Sequence, residues 1–412
     1  MHSVRARTWI VIAALAMAPG MSAQAARPES ARPKLDAGAD TNEAHAYYLL
    51  GTEKIFDKKP EEAAKAFYWA TRLDPASGDY LYAYREASFM AMPIDKLLAY
   101  GNRSSKKPRD VELLRLDTLL YRALLAKPFL FRRFDELVTQ HVIDEQVKRV
   151  ASVVGRTVVE MNMDQAVHMD ILNAYSKGAY SSAAALYAEP LKNKKIDKKM
   201  HEIIDPGIHA ERSRLFFLMD NMDSARTEMI AAIEGRRARD STRVVFLYES
   251  STLYEQSLGM IYERQKNFAD ARKAYESALV EDLSNYEAHA RLSQLQLAGG
   301  DTVAAMTEMN LAVQIVPDDP VLHYEYALEL VQTRHDAPAS DQLRKAIAAD
   351  SFYAAPHLLL AVIAGVEQYD DQALAEYQRF VALAARTDPQ EKYAEDQIAK
   401  LSSKMASTSP KQ

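Results

Sequence analysis

Cysteine is absent from all 412 residues. Its absence excludes disulfides, thiolate metal sites and a thiol nucleophile, and the acceptor cysteine of a bacterial lipoprotein is missing too. Glycine is scarce, at 13 residues. There is no phosphate loop, no glycine-rich dinucleotide turn, no Gly-x-Ser-x-Gly elbow and no His-Glu-x-x-His motif. His201-Glu202 comes nearest to that last motif, but Asp205 stands where its second histidine belongs. Ser104 and Lys107 have the Ser-x-x-Lys spacing of one serine-hydrolase motif without its companions. Basic excess is missing as well: 51 Lys and Arg face 57 Asp and Glu, a net of −6. Such a balance does not make a general nucleic-acid binder. No run after the N-terminal segment reaches the roughly 18 to 20 apolar residues that a membrane span needs.

The N-terminal segment carries an export signal. Arg5 and Arg7 precede the uncharged stretch Trp9 to Met17, Pro19-Gly20 break it, and Ala23-Gln24-Ala25 offers small residues to a signal peptidase. This pattern predicts a signal peptide over 1–25, cleavage after Ala25 and a periplasmic protein with no stable membrane anchor; full secretion stays open. Residues 26–41, with Pro28, Ser30, Pro33 and Gly38, read as a flexible leader, with order beginning near Asn42.

The strongest internal signal is a period of 34 residues. Gly259, Ser293, Ala327 and Ala361 recur at that spacing. Twelve residues after each stands an alanine: Ala271, Ala305, Ala339, Ala373. Bulky Tyr275, Met309, Leu343 and Tyr377 follow, then Ala278, Ala312, Ala346 and Phe380. Small residues on a first helix and alanines on a second let two backbones approach, and the bulky residue fills the space beside them. One such unit cannot bury its apolar face alone, so units must stack.

At these positions the chain resembles the tetratricopeptide-repeat family. Leu258-Gly259, Tyr262, Ala271, Tyr275 and Ala278 carry the resemblance in the first C-terminal unit, and Pro317 carries it in the second. Leu283, Ser351 and Ala385 depart from the family's inter-repeat proline. Tyr47, Leu50, Gly51, Ala63, Phe67, Ala70 and Pro75 match it far upstream. The expected fold is an all-α tetratricopeptide-repeat superhelix with a divergent helical middle. Its expected parts are an N-terminal repeat region over 42–110, degenerate repeats over 111–251, four units over 252–385, a capping helix over 386–404 and a loose tail over 405–412. In the middle, Tyr180, Ala183 and Tyr187 mark one degenerate unit, and Phe216, Ala225, Met229 and Ala232 another. The boundaries over 77–250 stay open.

The resemblance implies that first helices line a concave groove. Its contact positions are Leu253, Gln256, Met260 and Arg264 in the first unit, then Glu287, Ala290, Gln294 and Leu297. The third unit gives Val321, Tyr324, Leu328 and Val331, and the fourth Leu358 and Val362. This lining reads as apolar, increasingly so towards the C-terminus, and suits an amphipathic helix or an extended apolar segment of a partner protein. The cap helix or a second copy, making a homo-oligomer, are the alternative occupants.

Candidate chemistry is sparse, and neither a cofactor nor a metal is expected. His289, His323 and His357 recur at 34 residues. Helices packed roughly 8–10 Å apart cannot bring three such nitrogens to one zinc at about 2 Å, so these histidines read as half-buried seam residues. Phe129, Phe131, Arg132, Arg133 and Phe134 read as a helical core with a basic rim. Glu249-Ser250 resembles the Glu-Ser pair of lytic transglycosylases, whose Glu is a general acid. Two functions therefore stand side by side. One is a non-catalytic periplasmic scaffold or adaptor in envelope assembly, secretion or polysaccharide export. The other is a peptidoglycan-cleaving enzyme on a helical superstructure.

Overall fold

The computed structural model describes residues 31–93, 111–126, 170–193 apart from 172 and 176, 198–240 and 251–408. Ser104, Lys107, the 129–134 aromatics and Glu249-Ser250 lie outside the described residues. Among the described residues, helices account for the regular structure. They are α1 (Ala44–Phe56), α2 (Pro60–Leu73), α3 (Gly78–Met90), α4 (Val111–Ala126), α5 (Tyr180–Lys192), α6 (Lys198–Leu218), α7 (Met222–Asp240) and α8 (Ser251–Arg264). After these come α9 (Phe268–Glu281), α10 (Tyr286–Ala298), α11 (Thr302–Ile315), α12 (Pro320–Gln332), α13 (Asp336–Ala349), α14 (Ala355–Val366), α15 (Asp370–Leu383) and α16 (Glu391–Thr408). No described helix is long and apolar enough to cross a membrane.

Pairs α8–α9, α10–α11, α12–α13 and α14–α15 are antiparallel units stacked in chain order. Their close approach has a measurable cause. A Cβ added at Gly259 would stand 2.6 Å from the Tyr275 ring, and one at Gly51 would stand 2.6 Å from Phe67. At these two positions the aromatic ring sixteen residues on leaves no room for a methyl group. Where Met309 replaces the aromatic, a serine fits, and Ser293 Oγ reaches Ala305 O at 2.7 Å.

The turns repeat as faithfully as the packing. Lys266, Gly300, Arg334 and Gln368 are left-handed, each seven residues past its unit's small residue. Each turn then closes with a backbone bond spanning five residues, such as Asn267 N to Tyr262 O at 2.9 Å and Asp301 N to Gln296 O at 2.9 Å. These are Schellman turns, which satisfy the last carbonyls of a helix. Asn267, Asn285, Asp301 and Asp319 cap the following helices with their side chains.

The same turn appears at Lys58, Gly178 and Asp220. It therefore marks three more units: α1–α2, the short helical stretch at Ile171 with α5, and α6–α7. In the last of these, Ser213, Ala225, Met229 and Ala232 repeat Ser293, Ala305, Met309 and Ala312 residue for residue, and Ser213 Oγ donates to Ala225 O at 2.7 Å.

The leader differs from its sequence reading. From Ala31 onward it is docked: Leu35 packs against the main core, and Asp40 Oδ2 accepts from the Arg386 backbone N–H at 2.6 Å. Burial of Leu35 and a satisfied backbone donor hold this segment although it has no helical pattern. The capping helix α16 extends to Thr408, beyond the expected 404. Its Ala394 is buried against α14 and α15, and Lys404 pairs with Asp370.

The N-terminal block α1–α4 lies along the inter-unit edge of the C-terminal array, antiparallel to it. Asn42 Nδ2 donates to Ala382 O and Ala384 O, Arg72 pairs with Asp350 at 2.7 Å, and Arg122 pairs with Asp319 at 2.6 Å. Tyr121 OH donates to Asp282 Oδ2 at 2.5 Å. As the chain advances from 42 to 122, its partners step back from 384 to 282. One continuous apolar core joins the two regions, with Tyr47, Phe67, Trp69, Leu81 and Leu119 on one side and Leu253, Tyr286 and Leu322 on the other.

Candidate functional site

First helices α8, α10, α12 and α14 carry the groove residues, and the structure sorts those residues by accessibility. Leu253 and Gln256 are buried, at 7% and 0% exposure. Gln256 Nε2 donates to Leu125 O at 2.7 Å, and its Oε1 accepts from Asn285 Nδ2 at 3.0 Å. The end of α4 thus covers two of the first unit's contact positions, Leu253 and Gln256. The resemblance shows where a groove runs but not what this chain lays across it. Arg264 is exposed and meets Asp220 of the preceding turn at 3.3 Å. Met260 is half-buried at the joint between two apolar clusters.

Gln294, Leu297, Val321, Tyr324 and Val331 are half-buried, and Leu328 is 42% exposed. Tyr324 meets Tyr353 edge to face at 5.5 Å. Leu358 and Val362 share one apolar cluster with Ala394 and Ile398 of the cap helix. The accessible part of the surface therefore centres on α10 and α12, around Gln294, Tyr324, Leu328 and Val331.

The surface is also more polar than its contact positions foretold. Arg291 donates from Nε to Glu287 at 2.9 Å, and Glu263 lies 4.0 Å from its Nη1. Burial and the neighbouring Glu287 push the Glu325 carboxyl up to about 8. Glu287 is one of the contact positions, whereas Glu263, Arg291 and Glu325 each fall one residue from a contact position.

Glu329 is 5% exposed, and burial pushes its carboxyl up to about 7. Its Oε2 lies 2.6 Å from Ser293 Oγ, while Ser293 also sits 2.7 Å from Ala305 O. A hydroxyl has one proton to donate. Ser213 commits its own to the equivalent carbonyl in α7. Ser293 Oγ thus stands as donor between two acceptors, Ala305 O and Glu329 Oε2.

The recurring histidines have a common role. His289, His323 and His357 bond through Nδ1 to Glu308, Gln342 and Glu376, each nineteen residues on, at 2.6, 2.7 and 2.6 Å. His209 does the same with Glu228 at 2.6 Å, a fourth member that the 34-residue period does not reach. Each ties its unit's first helix to the second. His201 bonds to Asp205 on its own helix at 2.9 Å. Among the described residues, no group of three or more His, Asp and Glu is placed to hold a metal ion.

Helix–turn–helix units stacked in one direction define a helical-repeat solenoid, a fold that builds protein-interaction scaffolds. The tetratricopeptide-repeat family model matches residues 263–328. Over those residues the chain is similar to the tetratricopeptide-repeat family. No curated protein matches it. Solved structures similar to it include YrrB, a TPR protein with an unusual peptide-binding site, at 16% identity, covering 53% of this chain and 99% of that one, with a TM-score of 0.38. Another is PilF of Pseudomonas aeruginosa, at 17% identity over 58% and 98% of the two chains, TM-score 0.40. A third is the C-terminal part of a TPR protein from Cytophaga hutchinsonii, at 14% identity over 57% and 85%, TM-score 0.43.

Proposed function

We propose that the protein is an exported, non-catalytic scaffold of the periplasm that captures a protein segment on the α10–α12 surface. The observation that carries this reading is the exposed Leu328, with half-buried Gln294, Tyr324 and Val331 beside it on the same surface. Leu328 stands 42% exposed in the middle of a first helix. Its partner is a protein segment with an apolar face, in a machine for envelope assembly, secretion or polysaccharide export. Aromatic and aliphatic anchors at the centre of an interface carry most of its energy, at about 2 kcal/mol or more for each hot spot.

A photocrosslinking residue at position 328 tests this in living cells, with one at Val303 on a second helix as the control. Position 328 should yield a discrete crosslinked partner, and Tyr324→Ala should abolish it. Equal crosslinking from Val303, which is 80% exposed, would remove the site. Sequencing the N-terminus of the periplasmic protein tests export: it should begin at Ala26. A pool that retains Met1 would place the protein elsewhere.

A further inference from the structure

Three rings from three segments converge where the N-terminal block meets the array. Tyr47 comes from α1, Trp69 from α2, and Phe352 from the loop before α14. Trp69 and Phe352 meet edge to face at 4.9 Å. Between the rings lies the guanidinium of Arg32, with its Cζ 4.6 Å from the Trp69 centroid and 5.6 Å from both Tyr47 and Phe352. Arg72, fixed by Asp350, lies 4.9 Å from the Phe352 centroid and holds that ring in place. A cation within about 6 Å of several ring centroids is held by their quadrupoles.

The fit between this cage and its occupant is incomplete. Nε and Nη2 of Arg32 are shielded from water and have no hydrogen-bond partner. The cage supplies π faces and leaves two donors unmet, and a buried donor without an acceptor is a net cost. A cation with no N–H groups would gain the same ring contacts without that cost. The chemistry matching this environment is a quaternary ammonium.

We propose that Tyr47, Trp69 and Phe352 form a recognition site for a quaternary ammonium head group, held in cis by Arg32 until that ligand displaces it. Because the rings come from both regions, an occupied cage also clasps the N-terminal block to the array. The displaced leader carries Leu35 out of the core with it.

The test uses the full chain carrying W9F, which leaves Trp69 as the sole indole, with tetramethylammonium, choline and ammonium chlorides at matched ionic strength. In Arg32→Ala, tetramethylammonium and choline should change Trp69 emission saturably, at concentrations about tenfold or more below any effect of ammonium. In the parent, the same salts should speed tryptic cleavage after Lys34, since Leu35 is released. Should Arg32→Ala lose its folded circular dichroism, the cleavage assay on the parent decides alone. Vesicles of phosphatidylcholine against phosphatidylglycerol identify the source. Capture by the first alone assigns a lipid head group; a response to choline without capture by either assigns a free solute. Emission and cleavage that respond equally to ammonium and tetramethylammonium, or to neither, overturn the site.

Discussion

In the C-terminal array the small residues Gly259, Ser293, Ala327 and Ala361 stand 34 apart, whereas Ile171, Ser213 and Gly259 are separated by 42 and 46 residues. Inside the units the offsets do not change. Both regions place a left-handed residue seven positions on and a buried alanine twelve positions on. Longer helices take up part of the extra length: α6 has 21 residues and α7 has 19, against 13 or 14 for α8 through α13. A unit's internal offsets are fixed by contacts that tolerate no insertion, such as Ser213 Oγ on Ala225 O. Helix ends meet no such limit, so the spacing between units drifts.

The comparison breaks most sharply at the buried alanines. Ala225 and Ala305 are both fully buried and accept the serine bond of their own first helix. Ala305→Trp and Ala225→Trp should each destabilise by about 3 kcal/mol or more through overpacking. The loss from Ala305→Trp should spread through the stacked array, because units depend on their neighbours. That from Ala225→Trp should stay nearer α6 and α7. Hydrogen exchange of the two variants separates the patterns, and a parent-like melt for either would mean that its unit is misassigned.

The two serines sharpen the comparison through pH. Glu329 has an ordinary value of 4.5 and is pushed up to about 7 in the fold. The folded state therefore binds more protons than the unfolded state between those values, and stability falls as pH rises. The contribution is complete below about pH 4.5 and lost through pH 7, on the order of 3 kcal/mol. Glu325, pushed up to about 8 by burial and by Glu287, adds to the same slope. Glu329→Gln should flatten the fall between pH 5 and 8 as read from melting temperatures. Ser213→Ala should cost about 1 kcal/mol at every pH. A parent-like slope in Glu329→Gln would put the proton elsewhere.

Arg122→Ala addresses the seam between the N-terminal block and the array. It leaves Asp319, nearly buried, without its 2.6 Å partner. A lost hydrogen bond to a charged group costs about 2 kcal/mol. The variant should expose α1–α4 to limited proteolysis while the array keeps its melting transition. Unchanged digestion would show that the apolar core alone holds the two regions together.

The regular array could be read from the sequence because four units share one period, and an unbroken register survives substitution at single positions. The middle units could not, although Ser213, Ala225, Met229 and Ala232 copy Ser293, Ala305, Met309 and Ala312. Internal offsets were the durable signal there, and the period between units was not. His209, four residues before Ser213 as His289 is before Ser293, was available by the same comparison. Of the groove, the sequence placed the contact positions on first helices but left α4 out of account. Gln256 pairs with Leu125 across 131 residues. No periodicity encodes a contact of that separation between an irregular helix and a repeat.

The smallest expected effect lies in the turns. Lys266, Arg334 and Gln368 adopt φ of 59°, 64° and 64°, and Asp220 adopts 57°. Side chains with a Cβ strain against the following carbonyl there, at roughly 1–2 kcal/mol, while Asp is among the few that visit the region readily. Glycine removes that strain but gains freedom in the unfolded chain, which returns about 0.5–1 kcal/mol. The two terms leave Lys266→Gly and Arg334→Gly more stable by roughly 0.5 kcal/mol. Asp220→Gly should be neutral or slightly harmful, since it relieves less strain for the same entropic loss. The middle and C-terminal turns would then differ in sign while sharing one backbone geometry. Denaturant melts of the three variants check this, and equal gains at 220 and 266 would mean that the aspartate is strained as much as the lysine.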